Sequence, residues 1–272
     1  MLGIDGRVAV VTGAGRGIGQ GVALSLAEQG ASLVVNDLEQ QPLDETLSQI
    51  EAMGGKAAGV VGSVTDADIG ERLVTAAMDR FGDIGIVVAA AGYTWDGMAH
   101  RMPDEQWQAI IDVHLTGTFH VVRDTFKVMR ERAQQERERG ESPPARHIVT
   151  VSSQSGFGNL GQVNYSAAKA GIVGLTRTIA IEGAAFNILA NSVAFGTIDT
   201  RLTRARESQE ERLGHAVLGV PKAHRDKVVE ALPMKRVGKV EEAVGPIVFL
   251  SSELANYVSG ALLEVNGASH IS

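Results

Sequence analysis

The sequence contains no cysteine. Disulfides, thiolate catalysis and cysteine-ligated metals are therefore excluded, and the redox compartment is left unmarked. Positive charge is also in short supply, because 25 Lys and Arg against 32 Asp and Glu give a formal net charge of -7. No basic tract is long enough to form a nucleic-acid footprint, so nucleic acid is not an expected partner. No apolar run approaches the roughly 20 residues that span a bilayer. The opening residues show no basic leader, long apolar region and cleavage site, so a cytoplasmic protein without a membrane partner is expected. His100, His120, His147, His215 and His224 fall into no metal-ligand spacing, and no metal site is expected.

What the chain does have is length and apolar content. At 272 residues and 44% hydrophobic composition it can bury one large core, which favours a single domain over residues 1–272. Aromatic residues are only 4% while glycines number 32, a balance suited to many short loops where backbone passes close to backbone or ligand. Apolar, β-branched runs recur at 8–13, 32–37, 57–62, 84–92, 147–153, 187–196 and 262–267. Between them lie segments of helical periodicity such as 19–29, 69–81, 105–130 and 165–182. Near-continuous apolar strands alternating with helices predict an α/β fold, a doubly wound, seven-stranded parallel sheet of the Rossmann type. Two stretches break the alternation. The stretch 130–146, a charge-dense helix end followed by Gly, Ser and a Pro pair, reads as a solvated, mobile excursion. The polar 200–239 follows the sixth strand and is expected to form a substrate lid over the carboxyl ends of the strands.

Directly after the first predicted strand stands Thr12-Gly13-Ala14-Gly15-Arg16-Gly17-Ile18-Gly19, and a helical run follows. A turn here brings backbone N–H groups and a helix N-terminus against a pyrophosphate, an approach that side chains would block at Gly13, Gly17 and Gly19. Asp37 ends the second strand, where a carboxylate can accept hydrogen bonds from the ribose hydroxyls and would repel a 2′-phosphate. NAD is favoured, and NADP stays open because Arg16 is a cation in the same loop. After the fifth strand, Tyr165 and Lys169 share one helix face at i, i+4 spacing. A neighbouring ammonium stabilises a phenolate, so this pair is expected to bring the tyrosine into a range useful for acid or base work. A serine at the strand end can hold a substrate oxygen close to the phenol.

These motifs, TGAGRGIG at 12–19, the serine-rich strand end, YSAAK at 165–169 and TIDT at 197–200, resemble the short-chain dehydrogenase/reductase family along nearly the whole chain. The resemblance implies a Ser, Tyr and Lys catalytic set and a reversible exchange of secondary alcohol and ketone. The nearest likeness is to 3-oxoacyl carrier-protein reductases, with local similarity to the hydroxyacyl dehydrogenase parts of multifunctional enzymes. An acyl chain, a cyclic ketone and a small hydroxyketone are all left open as substrates. Of the serines, the family's usual spacing points to Ser152, but one residue is missing near Phe157, which selects Ser153 and keeps Ser152 in reserve. The resemblance also implies a cofactor-binding set of Gly13, Arg16, Gly17, Ile18, Gly19, Asp37, Ser63, Val64, Ala91, Gly92, Tyr165, Lys169, Gly196, Ile198 and Thr200. Within it, Lys169 takes the nicotinamide ribose and Ile198 and Thr200 the carboxamide. A homotetramer, or a homodimer, is the implied assembly, through helices at about 105–130 and 162–183.

Four positions depart from the family pattern. Ala89-Ala90-Ala91-Gly92 replaces Asn-Asn-Ala-Gly, His114 replaces an asparagine of the proton relay, Phe195 replaces a proline, and Asn266 replaces an aspartate. His114 is carried as a catalytic candidate because imidazole can bind water or shuttle protons, against its reading as a polar filler. The alternative function is a nucleotide-binding regulatory or scaffold subunit with weakened turnover, suggested by His114 and the alanine run. Trp95, Met98, Leu202, Val217, Leu218 and Val220 are the candidate pocket hydrophobes.

Overall fold

The computed structural model describes residues 2–208 and 212–271. Residues 209–211 of the expected lid, and the first and last residues of the expected domain, lie outside the described residues. Strands β1 (Val8–Thr12), β2 (Ser32–Asp37), β3 (Lys56–Val61), β4 (Ile86–Ala89), β5 (Arg146–Ser153) and β6 (Ile188–Phe195) are followed by a small hairpin, β7 (Arg212–Leu213) and β8 (Ala216–Val217), and then by β9 (Leu262–Val265). All but the hairpin form one seven-stranded sheet in the order β3-β2-β1-β4-β5-β6-β9, every pair parallel. The predicted doubly wound Rossmann-type sheet is thus the observed one.

Alternation along β1 explains the two layers of helix. Val8 and Val10 face one core with Leu73 of α3 (Ile69–Phe81) and Val122 and Phe126 of α5 (Gly117–Glu138). Ala9 and Val11 face the other, with Val22 and Leu26 of α1 (Gly17–Glu28) and Ile247 of α8 (Val240–Leu250). A strand buried on both faces needs apolar side chains at every position, which is why these runs show no polar alternation. Strand order reverses at β1, between β2 and β4, and opens a crevice at the carboxyl ends of those strands.

Two expectations need correcting, and a third gains detail. The helix read as 105–130 is two, α4 (Asp104–Ile111) and α5, separated by a π-helical turn at Asp112–Thr116 with His114 at its centre. An inserted residue of this kind is invisible to a 3.6-residue periodicity. The 130–146 stretch opens with the expected helix end, since α5 continues to Glu138, but Arg146 at its close is only 1% exposed. Its guanidinium pairs with Glu136 at 2.7 Å, so the charges read as a solvated run include a buried pair. Finally, the segment from 200 carries its own structure: the β7–β8 hairpin and α7 (Lys222–Ala231). Both ends of this excursion are pinned together, because Gly238 N–H donates to Thr197 O at 2.9 Å and Asp199 N–H to Gly238 O at 2.8 Å.

Candidate active site

The glycine turn is built by close approach. A Cβ on Gly13 would lie 2.7 Å from Ala91 Cα, and one on Gly19 only 2.1 Å from Gly13 O, so neither position accepts a side chain. Gly17, at φ 57, faces open space, with only Thr200 Cγ2 at 3.9 Å. The N-terminus of α1 has no side-chain cap and no acid in its first turn, which leaves its amides directed into the cleft. Such a cradle fits a dinucleotide pyrophosphate. Thr12 Oγ1 accepts from Ala90 N–H at 3.2 Å and Ala91 N–H at 3.4 Å, tying the alanine run back to β1.

Asp37 has two tasks. Its Oδ2 accepts from Gly15 N–H at 2.8 Å and its Oδ1 from Glu39 N–H at 3.2 Å, so it braces the turn while lining the cleft. Each carboxylate oxygen has a second lone pair, and capacity for ribose hydroxyls is retained. Arg16 Nη1 lies 3.0 Å from Glu39 Oε1, and Arg201 Nη1 lies 3.8 Å from the same oxygen.

Helix α6 (Val163–Ala184) begins beside β5 and brings Tyr165 and Lys169 into the same cleft. Asn164 locks this start: its Oδ1 accepts from Tyr165 N–H at 2.8 Å, while its Nδ2 donates to Trp95 O and Gln106 O, each at 3.1 Å. The sequence reading passed over this residue, although it sits inside the same motif. The two serines both line the cleft and differ in what they bond. Ser152 is buried and donates to Lys169 O at 2.8 Å, holding strand to helix. Ser153 lies beside the Tyr165 phenol, where its Oγ accepts from Ser155 N–H at 3.1 Å and donates to Phe195 O at 3.4 Å.

The electrostatics differ from the spacing argument. Lys169 Nζ donates to Val151 O at 2.6 Å and stands 5.4 Å from the Tyr165 ring centroid. Burial pushes the Tyr165 phenol up to about 12, with the Ser153 hydrogen bond opposing and the charge of Asp96 reinforcing. Burial also pushes the Lys169 ammonium down to about 7. One cause acts on both groups, since a low-dielectric site disfavours whichever form is charged. Burial thus favours the protonated phenol, the form that can act as an acid.

His114 is 2% exposed and stands edge-on to the Tyr165 ring. Its Nε2 lies 2.7 Å from Tyr93 O, which makes Nε2 the protonated nitrogen. Burial and the nearby Lys169 charge hold its pKa well below 6.5, so the imidazole is neutral. Gly92 makes room for it: a Cβ there would fall 2.0 Å from His114 Cε1.

Every expected cofactor residue, from Gly13 through Ser63, Val64 and Gly196 to Ile198 and Thr200, lines one continuous cleft of about 1320 Å³ with Ser153, Tyr165, Lys169 and His114. Of the candidate pocket hydrophobes, Trp95, Leu202, Val217 and Val220 line it as well. Met98 and Leu218 do not. Met98 is 46% exposed, and Leu218, following Val217 at the end of β8, turns inward to 1% exposure. Sequence reasoning missed the polar lining contributed by Asp96, Gln154, Gln162, His215 and His224, which no periodicity marks. Trp95 stacks on His215 of the hairpin turn at 6.0 Å, so the excursion after β6 reaches the loop after β4.

Fold and cleft define a nicotinamide-dependent oxidoreductase of the Rossmann type. The family model described as short chain dehydrogenase matches residues 7–211. The 3-oxoacyl-acyl-carrier-protein reductase of Thermotoga maritima is 36% identical over 97% of this chain and 98% of its own. An acetoacetyl-CoA reductase of Synechocystis is 36% identical over 99% and 98%. The crystal structure of a short-chain type dehydrogenase/reductase from Mycobacterium marinum superposes with a TM-score of 0.85 at 28% identity, covering 100% of this chain and 98% of that one. The chain belongs to the short-chain dehydrogenase family, oxidoreductases that use a nicotinamide cofactor to interconvert CH–OH and keto groups.

Proposed function

We propose that the chain reversibly converts a ketone to a secondary alcohol with NAD, acting on 3-oxoacyl and 3-hydroxyacyl thioesters. The observation that carries this reading is the meeting of Ser153, Tyr165 and Lys169 in the cleft that also holds the glycine turn. The 3-oxoacyl substrates named for the two relatives support the thioester class. A bound nicotinamide supplies or accepts the hydride. In the reducing direction the Tyr165 phenol donates its proton to the oxygen that was the carbonyl, a step for which burial keeps it protonated. Ser153 donates a hydrogen bond to the same oxygen. Lys169 holds the nicotinamide ribose, and its ammonium stabilises the phenolate as it forms. Ile198 and Thr200 hold the carboxamide, and residues 200–239 close over the substrate as a lid.

The preference for NAD rests on charge. A 2′-phosphate would meet Asp37 and Glu39 together, and the Arg16 guanidinium that could offset them is engaged by Glu39 at 3.0 Å. The proposed assembly is a homotetramer or homodimer, supported by apolar Phe119 and Ile181, 47% and 79% exposed on α5 and α6. A cytoplasmic location is proposed with it; among the described residues no helix is long and apolar enough to cross a membrane. The test is nicotinamide absorbance with 3-oxobutanoyl-CoA and each cofactor in turn. Turnover with NADH that Tyr165→Phe abolishes is the expected result, and turnover insensitive to that change would sink the reading.

A further inference from the structure

The last residues of the chain fold back onto the segment that follows Ser153. Asn266 Nδ2 donates to Glu264 Oε2 at 3.1 Å and to His270 O at 2.8 Å, and its Oδ1 accepts from Ala268 N–H at 3.0 Å. The imidazole of His270 stacks on Phe157 at 4.3 Å between centroids and 11° between planes. Its Nδ1 lies 3.2 Å from Glu264 Oε2. The tail so held places Ser269 Oγ 2.6 Å from Gln154 Oε1. That separation falls in the O–H···O range and below the N–H···O range, so the serine donates and the amide oxygen accepts. Gly196 packs behind: a Cβ there would lie 3.2 Å from the same oxygen.

With Oε1 committed to the tail, the polarity of the Gln154 side chain is fixed. Gln154 lines the cleft directly after Ser153, and among the described residues nothing accepts from its Nε2. An amide nitrogen in this state is a donor and cannot act as an acceptor. We infer that Gln154 donates a hydrogen bond to a second oxygen of the substrate, beyond the reacting carbonyl, and that Ser269 is the positioning residue that turns its amide for this purpose. In the 3-oxoacyl compounds proposed above, that oxygen is the carbonyl of the thioester or ester. A lone ketone has no second oxygen to accept. The inference rests on the ketone-reducing function proposed above.

The experiment compares kcat/KM for ethyl 3-oxobutanoate and pentan-2-one, which differ in the second carbonyl group. In Gln154→Ala and in Ser269→Ala the ratio of the two values should fall about 5- to 10-fold from wild type, the usual worth of one neutral hydrogen bond. Ser269→Thr keeps a hydroxyl and should restore the ratio. The loss should appear in KM more than in kcat, because the contact is distant from the reacting carbon. An unchanged ratio in both alanine variants, with both compounds turned over, overturns the role of Gln154 and leaves the ketone chemistry standing. Loss in Gln154→Ala alone overturns the positioning role of Ser269. Failure of wild type to reduce either compound with either cofactor overturns the parent function and this inference together.

Discussion

The His114 ring meets the Tyr165 ring edge-to-face, with centroids 4.9 Å apart and planes at 88°. Such a contact holds the phenol ring in one orientation, and aromatic pairs of this geometry contribute about 0.5–1.5 kcal/mol beyond their buried area. The imidazole keeps that position through its bond to Tyr93 O and the missing side chain at Gly92. Gly92→Ala should therefore act through His114. Overpacking of this kind costs about 1–3 kcal/mol, and the cost should largely vanish in a His114→Ala background. Urea denaturation of the two single variants and the double variant checks it. Additive losses would show that the alanine disturbs something else.

Tyr165→Phe keeps the ring against His114 and removes only the proton donor. The expected loss is about 10²-fold or more in kcat, in the range of general acid catalysis, with little change in melting temperature. A near-normal rate would remove Tyr165 from the chemistry.

Burial of Lys169 has a thermodynamic signature. Its pKa is about 7 in the folded chain against 10.5 for a solvated lysine. Between these values the unfolded chain binds the extra proton, so folding stability rises with pH from about 7 to above 10. For every pH unit crossed inside this window the gain approaches about 1.4 kcal/mol. Lys169→Met should flatten this slope and, at neutral pH, raise stability while abolishing turnover. A slope that survives the substitution would assign it to other groups.

The sheet was legible because strands buried on both faces carry apolar residues at nearly every position, a signal that needs no partner to be read. The glycine turn and the Tyr165 and Lys169 pair were legible because their roles fix residue type and spacing. Where side chains meet across the fold, the sequence was silent. The π-turn inserts a residue that periodicity averages away, so the inward turn of His114 could not be seen. Gln154 and Ser269 are 115 residues apart in sequence and meet only in the folded chain. The burial of Tyr165 and Lys169 was hidden for a related reason: spacing announces a neighbouring charge but not how much water is excluded from both groups.

The proposed preference for NAD turns on two carboxylates. Removing only Asp37 leaves Glu39 facing a 2′-phosphate and also frees the Gly15 amide that Asp37 now binds. Asp37→Ala should weaken NAD binding and improve NADP only modestly. Glu39→Gln added to it should relax discrimination further by releasing Arg16 toward the phosphate. Dissociation constants for the two cofactors, measured by calorimetry, check the order. An unchanged ratio in the double variant would show that the preference lies elsewhere.

Far from the cleft, Arg146 opens β5 at 1% side-chain exposure, bonded to both oxygens of Glu136 at 3.1 and 2.7 Å. Asp83, its other neighbour, keeps Oδ1 3.8 Å away, beyond hydrogen-bond reach, and does not replace that pair as placed. Glu136→Ala leaves a guanidinium in the interior without its main counter-charge. Loss of one partner of a buried pair typically costs about 3–5 kcal/mol. Since Glu136 is 15% exposed, water reaches the site and the expected loss sits toward the lower end. Removing both charges tests the cause, because Glu136→Leu with Arg146→Met exchanges a desolvated pair for apolar contact and should recover most of the loss. Unfolding free energies in urea discriminate. If Glu136→Ala is neutral, or the double variant is as unstable as the single one, the pair is not what holds the end of α5 against the sheet.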